Sequence, residues 1–260
     1  MNNLNLGPYQ EDRIYLGDAT RLIQELPCSS IDLIVTDPPF AIDFRAQRLN
    51  YNRTGSNVLE GYQEVSGEEY ELFTREWMSE AFRILSPSGS MYVFSGWNHL
   101  KDILDGLDRA GFTTQNHLIW KYQFGVFTKK KYVTSHYHIL FVVKDRKRYT
   151  FNKVEHYPED VWVIKREYWK GRKKTPTKLP SEIVRKILRF SSNPGDIVLD
   201  PFLGSGTVAV TAKEMGRHFI GFEVVGEYLS FANERLSDTG WNSYTATDKG
   251  RDCGATGHPV

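Results

Sequence analysis

Residues Ile31 to Phe40 read IDLIVTDPPF, and the rest of the chain is best understood outward from them. The first part is an apolar, β-branched run with no breaker, long enough for one strand buried in a parallel sheet. Pro38 and Pro39 end it, because neither has an N–H to donate and each restricts the residue before it. Asp37, Pro38, Pro39 and Phe40 therefore stand at the carboxyl edge of a sheet, where open α/β sheets bind ligands. An acidic acceptor, a prolyl carbonyl and a flat ring in one stiff loop make a receptor for a planar group carrying an NH2. The same four residues also suit a plain strand end, with Asp37 as a local cap.

At 260 residues and 40 % hydrophobic, the chain fits one large α/β domain and requires no second one. The formal charge of +1 exerts little global pull on a polyanion, so such a partner must be met by a local patch. Cys28 and Cys253 provide neither a disulfide framework nor metal-ligand spacing, which fits a reducing cytoplasm. No apolar run approaches the roughly 18 residues of a membrane span, and the amino terminus lacks the pattern of a signal peptide. The expectation is a soluble, cytoplasmic protein without a resident metal.

In chain order, RIYL at Arg13–Leu16 reads as a strand closing on Gly17-Asp18, and Ala19–Leu26 has helical spacing. Pro27-Cys28 reads as a turn before the opening strand rather than as a nucleophile. Residues 41–67 have little periodicity and carry Arg45, Arg48 and Arg53; a loop of that length suits either a lid touching substrate or DNA backbone, or a solvated insertion. Glu68–Leu85 reads as an amphipathic helix with Leu72, Phe73, Trp77, Ala81, Phe82 and Leu85 inward, stopped by Ser86-Pro87-Ser88-Gly89. Strands follow at 90–95, 117–121 and 137–143, with a helix at 99–110. His136 and His138 share one face of the last of these strands, with no third ligand to make a metal site.

Residues 145–175 differ in character. Lys165, Arg166, Lys170, Arg172, Lys173 and Lys174 surround Tyr168 and Trp169, a mixture suited to phosphate contacts and stacking, or to a solvated charged face. Beyond it lie a helix at 181–190, a strand at 197–199, a loop from Asp200 to Thr207, a helix at 208–215, a strand at 217–223 and a helix at 227–236. From Ser237 the chain is polar and Gly-rich, as in a frayed tail.

The late loop has two readings. Gly204, Gly206 and Ala209 fit G-x-G-x-x-A, and Glu223 follows about 20 residues on, as in a nicotinamide-dependent oxidoreductase. Little chain remains after Glu223, however, and the glycines follow Asp-Pro-Phe rather than an apolar strand end. A compact cofactor with one ribose and no pyrophosphate fits better, with Glu223 accepting from the ribose hydroxyls and Phe202 packing nearby.

Asp37-Pro38-Pro39-Phe40 together with Phe202-Leu203-Gly204-Ser205-Gly206 resembles the S-adenosylmethionine-dependent DNA amino-methyltransferases, in the permuted β-class order. The likeness runs from Gly17-Asp18 to about Leu236. It implies a doubly wound, seven-stranded, mostly parallel sheet in a single catalytic domain over 1–236, with 145–175 as a target-recognition insertion. It implies Asp18 near the cofactor's adenine, Glu223 on its ribose, and Asp200, Pro201, Phe202, Gly204, Ser205, Gly206 and Thr207 around its methionine part, facing Asp37. Lys178 falls in a cofactor-contacting stretch, Pro176–Pro180, which departs from the family's H-P-T-x-K-P at Thr175 and Leu179. By the same resemblance, Asp37 and Pro38 hold the amine of a flipped base in double-stranded DNA and Phe40 stacks on it. Asp in the first position resembles adenine-N6 enzymes more than cytosine-N4 ones. A catalytically silent DNA-binding paralogue is a further alternative. Homodimers occur among relatives, as do cognate restriction endonucleases.

Overall fold

The structure, a computed structural model, describes residues 4–39, 65–123, 125, 127–167 and 178–239. A short hairpin, β1 (Asn5–Leu6) and β2 (Tyr9–Gln10), leads into β3 (Arg13–Leu16). The helical run after it is brief: α1 (Ala19–Leu22) tightens into a 3-10 turn at Ile23–Glu25. Then come β4 (Ile31–Thr36), α2 (Tyr70–Ile84), β5 (Leu85–Ser95), α3 (Leu100–Ala110), β6 (Thr113–Lys121), β7 (His136–Val143) and β8 (Val161–Val163). The chain continues through α4 (Ser181–Ser191), β9 (Ile197–Asp200), α5 (Thr207–Glu214), β10 (His218–Glu223) and α6 (Gly226–Ser237).

The main sheet has the order β3-β10-β9-β4-β5-β7-β6-β8. Only β7 opposes its neighbours, pairing antiparallel with β5 and β6. Helices cover both faces, as the two apolar sides of each central strand require. Leu33 and Val35 face a cluster with Ile183, Val184, Leu188, Val208 and Ala232 of α4, α5 and α6. Ile34 joins the opposite cluster, with Ile23, Trp77, Met78, Ile84 and Leu107 on the side of α1, α2 and α3. From β4 the chain proceeds outward to β5 and from β9 outward to β10, so the winding reverses between β4 and β9.

The structure departs from the sequence reading in three places. The sheet has eight strands rather than seven; the eighth, β8, comes from the stretch expected to be a separate insertion and pairs parallel with β6. Its alternation is real, with Trp162 buried between two exposed valines, but three residues are too short to stand out in sequence. The expected stop at Ser86–Gly89 is a bulge inside β5, since Ile31 pairs Leu85 and Leu33 already pairs Ser90. Leu72, expected inward, is 50 % exposed.

Trp77 is fully buried and sets its ring edge-on to Phe202, centroids 5.4 Å apart, beneath the late loop. Trp77→Ala is expected to cost about 3–5 kcal/mol, measured by urea unfolding, and to loosen that loop.

Candidate active site

Parallel pairing brings four strand ends to one rim. Leu16 pairs Glu223, Gly221 pairs Asp200, and Ile34 pairs Leu199. Gly17-Asp18, Asp37, Asp200 and Glu223 thus leave the sheet at the same edge although they are distant in sequence. Two bonds hold the rim: the Thr36 hydroxyl donates to Asp200 Oδ1 at 3.1 Å, and Gly17 N–H to the Glu223 carbonyl at 2.9 Å.

Between these ends lies a cavity of about 470 Å³. Asp18, Asp37, Pro38, Pro39, Asp200, Pro201, Phe202, Gly204, Ser205, Thr207 and Glu223 all line it. The two separately read loops, one after β4 and one after β9, are therefore walls of one chamber. Asp18 caps α1, accepting from Thr20 N–H at 2.9 Å and from the Thr20 hydroxyl at 2.8 Å. Glu223 accepts from Gly204 N–H at 2.7 Å and from Val225 N–H at 2.8 Å, so it also clamps the glycine loop. Val65, Glu69, Leu72, Phe73 and Glu76, at and before the start of α2, form a further wall, with Thr20 and Tyr228. Sequence reasoning did not assign these, because the helical spacing gave Leu72 and Phe73 to the core face.

The electrostatics are one-sided. Asp37 is half-buried as a residue, but its Oδ1 is enclosed and has no hydrogen-bond partner among the described residues. Burial pushes its carboxyl up to about 7. Burial pushes Asp200 up to about 8, with the charges of Asp37 and Glu223 adding to the effect and the Thr36 and Phe202 donors opposing it. Glu223 is raised by burial as well, against its backbone donors.

The two glycines do different work. Gly204 has φ +53 and nothing closer than 4.0 Å to an added Cβ, so it leaves the chamber open. Gly206, outside the lining, has φ +77, and a Cβ there would meet the Ala232 Cβ at 2.7 Å; it serves the contact with α6. Lys178 also lies outside the lining. Its Nζ sits 2.7 Å from Glu167 Oε2, while Glu167 Oε1 accepts from Ser181 N–H and hydroxyl at the start of α4. Burial pushes Glu167 up, but these partners outweigh it and hold its carboxyl below the usual range. Leu179, the next residue, is the one that reaches the chamber.

Of the residues expected at DNA, Lys165 is exposed, whereas the Arg166 guanidinium lies 3.8 Å over the Tyr122 ring. Phe40, Arg45, Arg48, Arg53, Trp169, Lys170, Arg172, Lys173 and Lys174 lie outside the described residues.

A sheet wound from both sides of one crevice, with an acidic strand-end loop and a glycine loop meeting there, is the arrangement of a ligand-binding α/β enzyme fold. The sequence profile of the DNA methylase family, which groups N6 and N4 methyltransferases, matches residues 31–234, and the chain belongs to that family. It is 31% identical over 258 residues to the type II methyltransferase M.HpaI of Haemophilus parainfluenzae, covering 92% of this chain and 78% of that protein. It is 31% identical to the DNA adenine methyltransferase YhdJ of Escherichia coli (strain K12), covering 85% of this chain and 81% of the relative. The crystal structure of the M1.HpyAVI–SAM complex superposes with a TM-score of 0.63 at 28% identity, covering 86% of this chain and 98% of that one.

Gly206→Ala is expected to destabilise the fold by about 1–3 kcal/mol, whereas Gly204→Ala is expected to cost less in stability and more in ligand affinity; urea unfolding and calorimetry separate them. The Asp37 carboxyl is raised in the folded state, so stability is fully present below the unfolded value and is lost as pH rises through about 7. Asp37→Asn is therefore expected to raise Tm at pH 8 and to do so less at pH 5, by about 2–4 °C for each kcal/mol recovered.

Proposed function

We propose that this methyltransferase transfers a methyl group from S-adenosylmethionine to the N6 amine of adenine in duplex DNA, by direct displacement after the base is turned out of the helix. The observation that carries the reading is Asp37 on the lining of a chamber walled by Gly204 and Glu223, with its enclosed Oδ1 lacking a hydrogen-bond partner among the described residues. A buried acceptor without a donor is costly unless a ligand supplies one. S-adenosylmethionine, when bound, supplies an electrophilic methyl group on a sulfonium.

This chain's residues do the rest. An exocyclic amine is a poor nucleophile because its lone pair is delocalised into the ring. Asp37 and the Pro38 carbonyl accept its two N–H bonds and favour the pyramidal, attacking form as positive charge develops; the new N–C bond would replace the methyl's C–S bond, and the surplus amine proton would leave to water. The two prolines keep that loop stiff, and the bonded rim holds it against the glycine loop, as in-line attack from about 3–3.5 Å requires. Phe40 stacks on the extruded base, helping to offset an unstacking cost of about a few kcal/mol. Glu223 holds the ribose, Asp18 lies by the adenine, and Asp200, Pro201, Phe202, Ser205 and Thr207 surround the methionine part. Cys28, exposed ahead of the opposite end of β4, has no role in this route.

Adenine is favoured over cytosine N4 by the Asp that opens Asp37–Phe40 and by the likeness to YhdJ, named for adenine. A dinucleotide is disfavoured because its pyrophosphate would face the carboxyls of Asp37, Glu69, Glu76, Asp200 and Glu223, with no Lys, Arg or His among the described residues lining the chamber to offset them. Lys165 and the basic residues from Lys170 to Lys174 are assigned to DNA phosphates.

Asp37→Ala is expected to leave cofactor binding measurable by calorimetry and to lower methylation at least about 10²-fold, the scale of losing an electrostatic stabiliser. Full activity in that variant would sink the mechanism. Hydrolysed, treated DNA should contain N6-methyladenine by mass spectrometry, and N4-methylcytosine alone would assign the other amine. Reversing the charges of Lys165, Lys170, Lys173 and Lys174 should weaken DNA binding for all sequences and reduce the salt slope by about one unit for each phosphate no longer neutralised.

A further inference from the structure

The chamber's lining is unusual in its charge. Asp18, Asp37, Glu69, Glu76, Asp200 and Glu223 line it, and among the described residues no basic side chain does. The cations close to the loops are engaged elsewhere. Arg235 approaches from α6 and donates to the Ser205 carbonyl and to the Thr207 hydroxyl, while Lys178 meets Glu167. The partners given to Asp200 are neutral, the Thr36 hydroxyl and the Phe202 amide.

We infer that this chamber selects its ligand by charge: it takes up the cationic methyl donor with release of protons from Asp37 and Asp200, and holds the neutral thioether product more weakly. The inference rests on the function proposed above and adds a charge-based discrimination between the two forms of that cosubstrate. Donor and product carry the same adenosine and the same amino-acid group and differ in the charge on sulfur. A cation placed among buried carboxyls favours their ionised form. Both carboxyls are raised into the range near neutrality, so at pH 6 the donor must displace protons into the buffer, whereas the product has no charge with which to do so. The other titratable groups facing them across the chamber are Asp18, Glu69, Glu76, Glu223 and Tyr228. By linkage, each proton released makes affinity rise with pH.

Titration calorimetry of the full chain with S-adenosylmethionine and with S-adenosylhomocysteine, at pH 6 and pH 7 and in two buffers of different ionisation enthalpy, tests it. The expected result is net proton release with the donor and a rise in its affinity of more than about tenfold over that unit, tenfold being the limit for one proton and a hundredfold for two. For the thioether the change should stay under about twofold on the same scale. Asp37→Asn and Asp200→Asn should each lower the number of protons released. Equal pH dependence for both ligands, donor binding without proton release, or unchanged release in both variants would overturn the inference and leave the methyl-transfer reading standing. Failure of the donor to bind at any pH would overturn the methyl-transfer reading itself.

Discussion

The parallel pairing of β4 with β9 is the constraint on which the rest depends. Leu33 lies beside Val198 and Ile34 beside Leu199, and side chains fasten this short register at both ends. Asp32 Oδ2 accepts from Ile197 N–H at 2.9 Å where the strands begin, and Thr36 donates to Asp200 where they finish. Antiparallel pairing would have sent the two following loops to opposite edges, about 20 Å apart for strands of six residues. Because the pair is parallel and lies where the winding reverses, the loops splay over one crevice, and that crevice becomes the chamber.

What fills the rim has an energetic cost to the empty protein. Three buried carboxyls stand near one another with few donors, and their raised affinities for protons record that cost. Arg217, at the amino end of β10, is the contrast. It too is buried, yet its guanidinium donates to the carbonyls of Met215 and Ser192 and to the Ser192 hydroxyl. The Arg217 donors are met by the fold, although burial still lowers its pKa, and it belongs to the scaffold; the Asp37 Oδ1 has no hydrogen-bond partner among the described residues. Stability and chemistry thus make opposing demands on the same residue.

Much of this was legible in the sequence, for local reasons. Two prolines end a strand wherever they occur, so Asp37 had to stand at an edge. Helical periodicity placed α2, α3, α4 and α6 to within a few residues. The roles of individual small residues were less legible. Gly204 and Gly206 look equivalent in a glycine loop, yet one faces the chamber and the other faces Ala232, a neighbour supplied by a helix further along the chain. Lys178, expected at the cofactor, is instead held by Glu167 outside the lining, while Leu179 reaches the chamber.

The chain alone settled the order of most strands and helices, which residues carry acceptors, and in what order the Asp-Pro-Pro loop and the glycine loop come, since these follow from neighbours within a few residues. Only the tertiary structure decided that Val161–Val163 would extend the sheet, that the wall before and along α2 would close the chamber, and that six acids from distant segments would share it without a basic residue among those described. The physical reason is that strand pairing and side-chain burial are set by whatever packs opposite. In this fold, what bonds to Thr36, the residue before Asp37, comes from more than 160 residues away.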